Sequence, residues 1–230
     1  MIKGIFITGT DTGVGKTFVS AGIARALRVR GIGVGVMKPA ETGCRSRGGK
    51  LIPADAIALM RSAEAADPLD LVNPYRFLAP LAPMVAAQQE GRTIETRKIK
   101  EAFRLLKKKH EFLIVEGAGG IMVPLTSQTN YLDLAAKLRL PVLIIAHPGL
   151  GTINHTLLTI MALRARRVPI AGIVFNHSTD GRQGPAERTN PAVIERLSKV
   201  PVLGQVRYGE RDFSQLADRL MKKRKSTYEF

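Results

Sequence analysis

The stretch Gly9-Thr10-Asp11-Thr12-Gly13-Val14-Gly15-Lys16-Thr17 constrains this chain more than any other. It follows a short apolar run, Ile5-Phe6-Ile7, and leads into a helical pattern that begins near Phe18. Strand, glycine-rich turn, Lys-Thr and helix, in that order, make a phosphate-binding loop. Its glycines let backbone N–H groups curl around phosphate oxygens, and the helix after it adds unpaired donors and a partial positive charge. In such a loop Lys16 reaches the outer phosphates and the Thr17 hydroxyl sits on Mg²⁺. The strict pattern places its first glycine where this chain has Thr10. Gly9 stands one step earlier, so the loop is one residue longer than the pattern.

The segments around the loop read as alternating strands and helices. Residues 3–8 form a buried strand, and residues 17–30 a helix with Val19, Ile23, Ala26 and Leu27 on its apolar stripe. Gly31 ends that helix and Ile32 to Met37 is a second strand. Strand–helix–strand at this spacing is a βαβ unit with parallel strands and a right-handed crossover. Ligands of an open parallel sheet bind outside the carboxyl ends of its strands, which sets Lys38, at the Lys38-Pro39 strand end, near the phosphate loop. Phe112 to Val115 is a further apolar strand, closed by Glu116. A strand-end acid beside a phosphate loop suits Mg²⁺, which prefers oxygen ligands. Gly117, Ala118, Gly119 and Gly120 after it leave room for a ligand. Residues 141–146, 170–175 and 201–206 are three more strands, the second ending at Asn176, whose amide suits a base edge. The fold expected is α/β, a parallel β-sheet flanked by helices on both faces, of P-loop NTPase type, in one domain spanning 1–230.

The remaining segments are read more coarsely. Residues 40–54 are glycine-rich and basic and read as a mobile loop over the site. Ala54 to Ala66 is a helix with Asp55 in its first turn, where an acid alone reads as a cap or dipole partner. The prolines at 68, 74, 80 and 83 exclude long elements before a helix from Pro83 to Glu90 closed by Gly91. Residues 95–109 are a basic amphipathic helix with Ile99, Phe103 and Leu106 inward, and residues 131–138 a short helix. The turn from His147 to His155 is a second glycine-containing strand-to-helix turn able to hold an anion such as a carboxylate, and the helix after it carries Leu158, Met161, Ala162 and Ala165. His147 and His155 lack zinc-site partners at zinc spacing.

Composition narrows the class. With one cysteine, Cys44, no internal disulfide can form, which points to a reducing compartment. The N-terminus has no signal-peptide layout and no apolar run reaches the roughly 18 residues of a membrane span. A cytoplasmic protein without a membrane role is expected. The formal charge of +16 fits a nucleic-acid surface, a generally basic proteome, or attraction for anionic substrates such as ATP. Its lysine clusters, at 107–109 and in the tail at 222–225, are not interleaved with aromatics, so nucleic-acid binding is not expected.

Taken together, the lengthened loop from Gly9 to Thr17, Lys38-Pro39, Asn73-Pro74-Tyr75, Gln89-Glu90-Gly91-Arg92, Val115 to Gly120, Gly151 to His155 and Pro201 to Gly204 resemble dethiobiotin synthetases. The resemblance runs in order over nearly the whole chain. It implies ATP-dependent carboxylation and ring closure of 7,8-diaminopelargonic acid with CO₂, through a carbamate and a carbamic-phosphoric anhydride, in a homodimer. It further implies that Gly13, Val14, Gly15, Lys16, Thr17 and Phe18 hold the triphosphate, with Gly117, Ala118 and Gly119 on the nucleotide side. Thr17, Asp55 and Glu116 would hold Mg²⁺, and Asp55 becomes a ligand on this ground only. Thr12, Lys16 and Lys38 would surround the carbamate and the transferring phosphoryl group. Thr42 and the turn Gly151, Thr152, Ile153 and Asn154 would bind substrate, and Asn176 would read the adenine. The chain departs from the family in having Thr42 for a frequent Ser, Gly13 for an occasional acid, and Arg207-Tyr208 where a proline is expected in the adenine pocket. The last departure implies relaxed base selectivity. The other function this fold serves is that of ParA/MinD-like regulatory ATPases, whose extra early lysine would fall at Thr10.

Overall fold

The computed structural model describes residues 4–180 and 183–223. Lys3 of the expected first strand, and Arg224 and Lys225 of the basic tail, lie outside the described residues. Six strands form one parallel sheet: β1 (Gly4–Gly9), β2 (Val34–Met37), β3 (Phe112–Gly120), β4 (Val142–Ala146), β5 (Ile170–Asn176) and β6 (Val202–Val206). Their order across the sheet is β6-β5-β4-β1-β3-β2. The strands read as near-continuous apolar runs because helices cover both faces of a parallel sheet. β1 is wholly buried and pairs Phe6 with Val142 on one side and with Val115 on the other.

The helices of the frame are α1 (Lys16–Val29), α2 (Ala54–Ala63), α3 (Thr96–Lys109), α4 (Tyr131–Leu138), α5 (Thr152–Ala165), α6 (Pro185–Ser198) and α7 (Ser214–Lys223). α1 packs against α2 and α7, and α5 against α6. Right-handed crossovers put α1 on one face, since β1 to β2 runs one way across the sheet. α3, α4, α5 and α6 fall on the other, since the chain then returns the opposite way. The connection after β1 leaves on one face and those after its neighbours β3 and β4 on the other, and such a switch point opens the crevice in which doubly wound sheets bind ligands. No helix among the described residues is long and apolar enough to cross a membrane.

Four local readings change. Residues 40–54 are not a bare loop: Ala40–Glu41 pairs in parallel with Tyr75–Arg76, and Arg45–Arg47 forms a hairpin with Lys50–Ile52. Gly48 and Gly49 turn that hairpin with φ of 58° and 73°, the double positive φ of a tight hairpin turn. β3 does not stop at Glu116 but runs on to Gly120, which pairs with Gly9 after a register shift. α6 was not foreseen, because Pro185 and Pro191 break its pattern and its inward stripe holds few apolar side chains (Asn190, Pro191, Ile194 and Ser198). α5 turns Thr152, Thr156, Thr159, Ile160 and Leu163 inward and leaves Leu158 and Met161 exposed.

Candidate active site

The carboxyl ends of β1, β2, β3 and β5 deliver the loop, Lys38, Glu116 and Asn176 to one place. Gly15 caps α1 in the left-handed region, with φ of 84°, and Gly13 has φ of 77°. Gly15 is required twice over, since a Cβ there would stand 2.1 Å from Asn176 Nδ2. That amide donates to Val14 O at 3.0 Å and pins the loop from below, so its oxygen must point elsewhere. Asn176 Oδ1 is buried and finds no donor among the described residues.

Three charged side chains meet under the loop. Lys38 Nζ donates to Glu116 Oε1 at 2.6 Å and to Asp55 Oδ2 at 2.7 Å. The Thr17 hydroxyl donates to the same Glu116 Oε1 at 2.7 Å. Glu116 is fully buried, whereas the Asp55 side chain is 43% exposed at the cavity wall. Burial alone would lower the Lys38 pKa, but Glu116 and Asp55 raise it above the ordinary lysine value. Burial would raise Asp55, and the Lys38 charge instead holds it below the usual carboxylate range. Lys16 is buried as well, curled back so that Nζ donates to Asp11 O at 2.9 Å. Desolvation, and then repulsion from Lys38, pull its pKa down to about 8.

Lys38 is fixed through its backbone too. Its N–H donates to Val72 O at 2.8 Å, and Asn73 Nδ2 donates to Lys38 O at 2.7 Å and to Tyr75 O at 3.2 Å. Asn73-Pro74-Tyr75 therefore braces the Lys38 strand end.

A cavity of about 520 Å³ opens over this cluster. Thr12, Gly13, Gly15, Lys16, Thr17, Phe18, Lys38, Thr42, Asp55, Ala118 and Gly119 all line it. Glu116, wholly buried, does not line it but lies behind Thr17 and Lys38, to which it is bonded. Gly117 faces away, close against the Phe6 and Tyr131 rings, where a Cβ would make contacts of 3.4 Å. Gly151, Thr152, Ile153 and Asn154 are not in this cavity. Thr152 instead lines a second hollow, of about 210 Å³, with Thr12, Gly13, Val14, His147, Leu150 and His155. The two hollows share Thr12 and Gly13. The expected turn is also shorter than read: Gly151, with φ of 88°, caps α5, and Thr152 to Asn154 are its first helical residues.

The donors beside the loop fit Mg²⁺. Thr17, Asp55 and Glu116 offer only oxygen, and Glu116 Oε2 is buried without a donor among the described residues. Among the described residues no three His, Cys, Asp or Glu side chains form a cage. Magnesium does not need one, since phosphates and water complete its shell.

The sequence reading passed over Glu41. This buried carboxylate accepts the N–H of Asp55 through Oε1 and that of Ala56 through Oε2, each at 2.9 Å. The available signal was Pro53, which precedes α2 and has no side chain able to cap it.

Loop, lysines and paired acids at the switch point of a parallel sheet define a P-loop nucleotide-dependent enzyme. A family model described as an AAA domain matches residues 3–211. The chain is 43% identical over 215 residues to the ATP-dependent dethiobiotin synthetase BioD of Thermodesulfovibrio yellowstonii, covering 90% of each. It is 47% identical over 197 residues to that of Anaeromyxobacter dehalogenans, covering 86% of each. In fold it is similar to the Pyrococcus furiosus cell division ATPase MinD, with a TM-score of 0.60 and 18% identity over 97% of this chain and 100% of that one. The pNOB8 ParA bound to nonspecific DNA aligns with a TM-score of 0.63 and 11% identity over 98% and 99% of the two chains. These two likenesses concern the fold alone. The chain belongs to the dethiobiotin synthetase family, whose members are ATP-dependent ligases.

Proposed function

We propose that this enzyme uses ATP and CO₂ to close the cyclic urea of dethiobiotin on 7,8-diaminopelargonic acid. One amine adds to CO₂, loses a proton and becomes a carbamate. The carbamate oxygen attacks the γ-phosphorus and ADP leaves. The second amine attacks the carbamoyl carbon, phosphate departs, and the ring closes. The observation that carries this reading is Lys38, a buried ammonium held at 2.6 and 2.7 Å by two carboxylates beside the phosphate loop. Its raised pKa keeps it cationic, so its role is electrostatic rather than that of a base. Carbamate and γ-phosphate are both anions, and Lys38 and Lys16, with the loop amides, stabilise the charge that develops as they meet. Thr17, Asp55 and Glu116 would hold Mg²⁺, which neutralises phosphate charge when bound.

We assign the far carboxylate of the substrate to the second hollow, where Thr152, at the start of α5, lies beside His147 and His155, with Asp11 also in the wall. Leu150, 97% exposed, lies at that hollow, and Leu158 and Met161 are exposed on the same helix. We place a second copy of the chain over this apolar face, making a homodimer. The free, buried Cys44 suits a reducing cytoplasm. With ¹³C-bicarbonate, MgATP and the diamine, label is expected in the ring carbonyl of the product. Turnover that leaves the label out of the ring overturns the reading.

A further inference from the structure

Asp55 is gripped at both ends by one short segment. Lys38, at its start, holds the Asp55 side chain. Glu41, three residues on, holds the backbone: its two oxygens accept the N–H groups of Asp55 and Ala56, each at 2.9 Å. No local side chain caps α2, since Pro53 stands at the cap position. Glu41 supplies the missing cap from another part of the chain, and a carboxylate at a helix N-terminus also meets the favourable end of its dipole. Its own place is rigid. Ala40–Glu41 is paired with Tyr75–Arg76, Phe77 N–H donates to Glu41 O at 2.9 Å, and the side chain is 5% exposed.

We infer that Glu41 is a positioning residue for the metal–nucleotide site, setting Asp55 toward Lys38, Thr17 and Glu116 by fixing the first turn of α2. Glu41 also lines the cavity, but both of its carboxylate oxygens are taken up by the α2 amides. This inference rests on the reading that Asp55 helps to hold Mg²⁺. Residues that orient a metal ligand typically change metal affinity by about 10- to 100-fold when removed. A side chain that merely stabilises the fold would disturb the phosphate loop as well, and would weaken nucleotide binding with or without metal.

Titration calorimetry of ADP, once with Mg²⁺ and once in EDTA, separates these roles, because the ratio of the two affinities is the gain due to metal. Glu41→Gln retains the shape and a single acceptor. It is expected to lower the gain by about tenfold and to leave metal-free ADP affinity within about twofold. In an Asp55→Ala background the same substitution is expected to change nothing further. An unchanged gain in Glu41→Gln, while Asp55→Ala abolishes it, overturns the inference and leaves the metal reading intact. A full gain in Asp55→Ala overturns the metal reading and this inference with it. Should Glu41→Gln not fold, Glu41→Asp, too short to reach both amides, takes its place. Failure of both to fold overturns the inference in favour of a purely structural carboxylate.

Discussion

Two neighbouring strands, β1 and β4, lead into turns whose last glycine has a similar positive φ and caps a helix. Gly15 caps α1 with φ of 84° and Gly151 caps α5 with φ of 88°. Each therefore presents the start of a helix to a hollow, and the hollows meet at Thr12 and Gly13. The side chains beyond each glycine differ. After Gly15 come Lys16 and Thr17, above Lys38, Asp55 and Glu116. After Gly151 comes Thr152, whose hydroxyl lies 3.3 Å from that of Thr156, and the nearby wall is His147, His155 and Leu150. Backbone geometry alone makes a place for an anion. Buried cations and paired carboxylates stand at one such place, whereas the other has Asp11, two histidines and no lysine in its wall; under the proposed function the first goes to the triphosphate and the second to the substrate carboxylate.

The residue after each glycine gives the widest separation. Lys16→Ala is expected to cut turnover by about 10²–10³, the usual loss for one group that stabilises a developing charge. Thr152→Ala is expected to change it less than about tenfold, mainly through the KM for the diamine, because its hydroxyl bonds within its own helix. Steady-state kinetics of both variants would erase the distinction if the losses were equal.

The glycines themselves sharpen the comparison. Gly15→Ala meets both a left-handed φ and a Cβ 2.1 Å from Asn176 Nδ2. Strain of about 1–2 kcal/mol plus that clash is expected to weaken ATP binding by about 10²-fold. At Gly151 the nearest atom is His155 Cε1, at 3.8 Å, so Gly151→Ala carries strain alone. It is expected to raise the KM for the diamine by no more than about tenfold, from roughly 1 kcal/mol. Calorimetry with ATP and kinetics with the diamine check the pair.

The smallest effect is one of pH. In the proposed function Lys16 would meet phosphate as an ammonium, and burial lowers its pKa to about 8. Metal-free ADP affinity is therefore expected to be full below that pH and to fall as pH rises through it. Lys16→Ala should flatten the profile. The second turn has no lysine, and its anion binding should show no such fall.

Legibility in the sequence divides along the same line between local and tertiary causes. The loop, the strand-end Lys38, the apolar strand that carries Glu116, and the amphipathic helix with Ile99, Phe103 and Leu106 inward were legible, because each depends on neighbours in sequence; only the end of that strand, at Gly120, was not. From its own surroundings Asp55 read as a cap, and only the family resemblance made it a ligand, since nothing near it in sequence reveals the Lys38 ammonium 2.7 Å away. Glu41 was hidden for the same reason, its partners lying 14 and 15 residues on. The hairpin at 45–52 was lost in a glycine-rich basic run, although its two central glycines are the turn signal. α5 misled through hydropathy, for its threonines face inward while Leu158 and Met161 face out.

In the proposed function Lys38 makes ATP cleavage depend on a captured carbamate. The most direct measurement is ADP release with MgATP and bicarbonate, with and without 7,8-diaminopelargonic acid, for wild type and Lys38→Ala. The account predicts strong release that requires the diamine and is lost in Lys38→Ala. Release that ignores the diamine and rises instead with DNA would contradict it and assign the site to a regulatory ATPase.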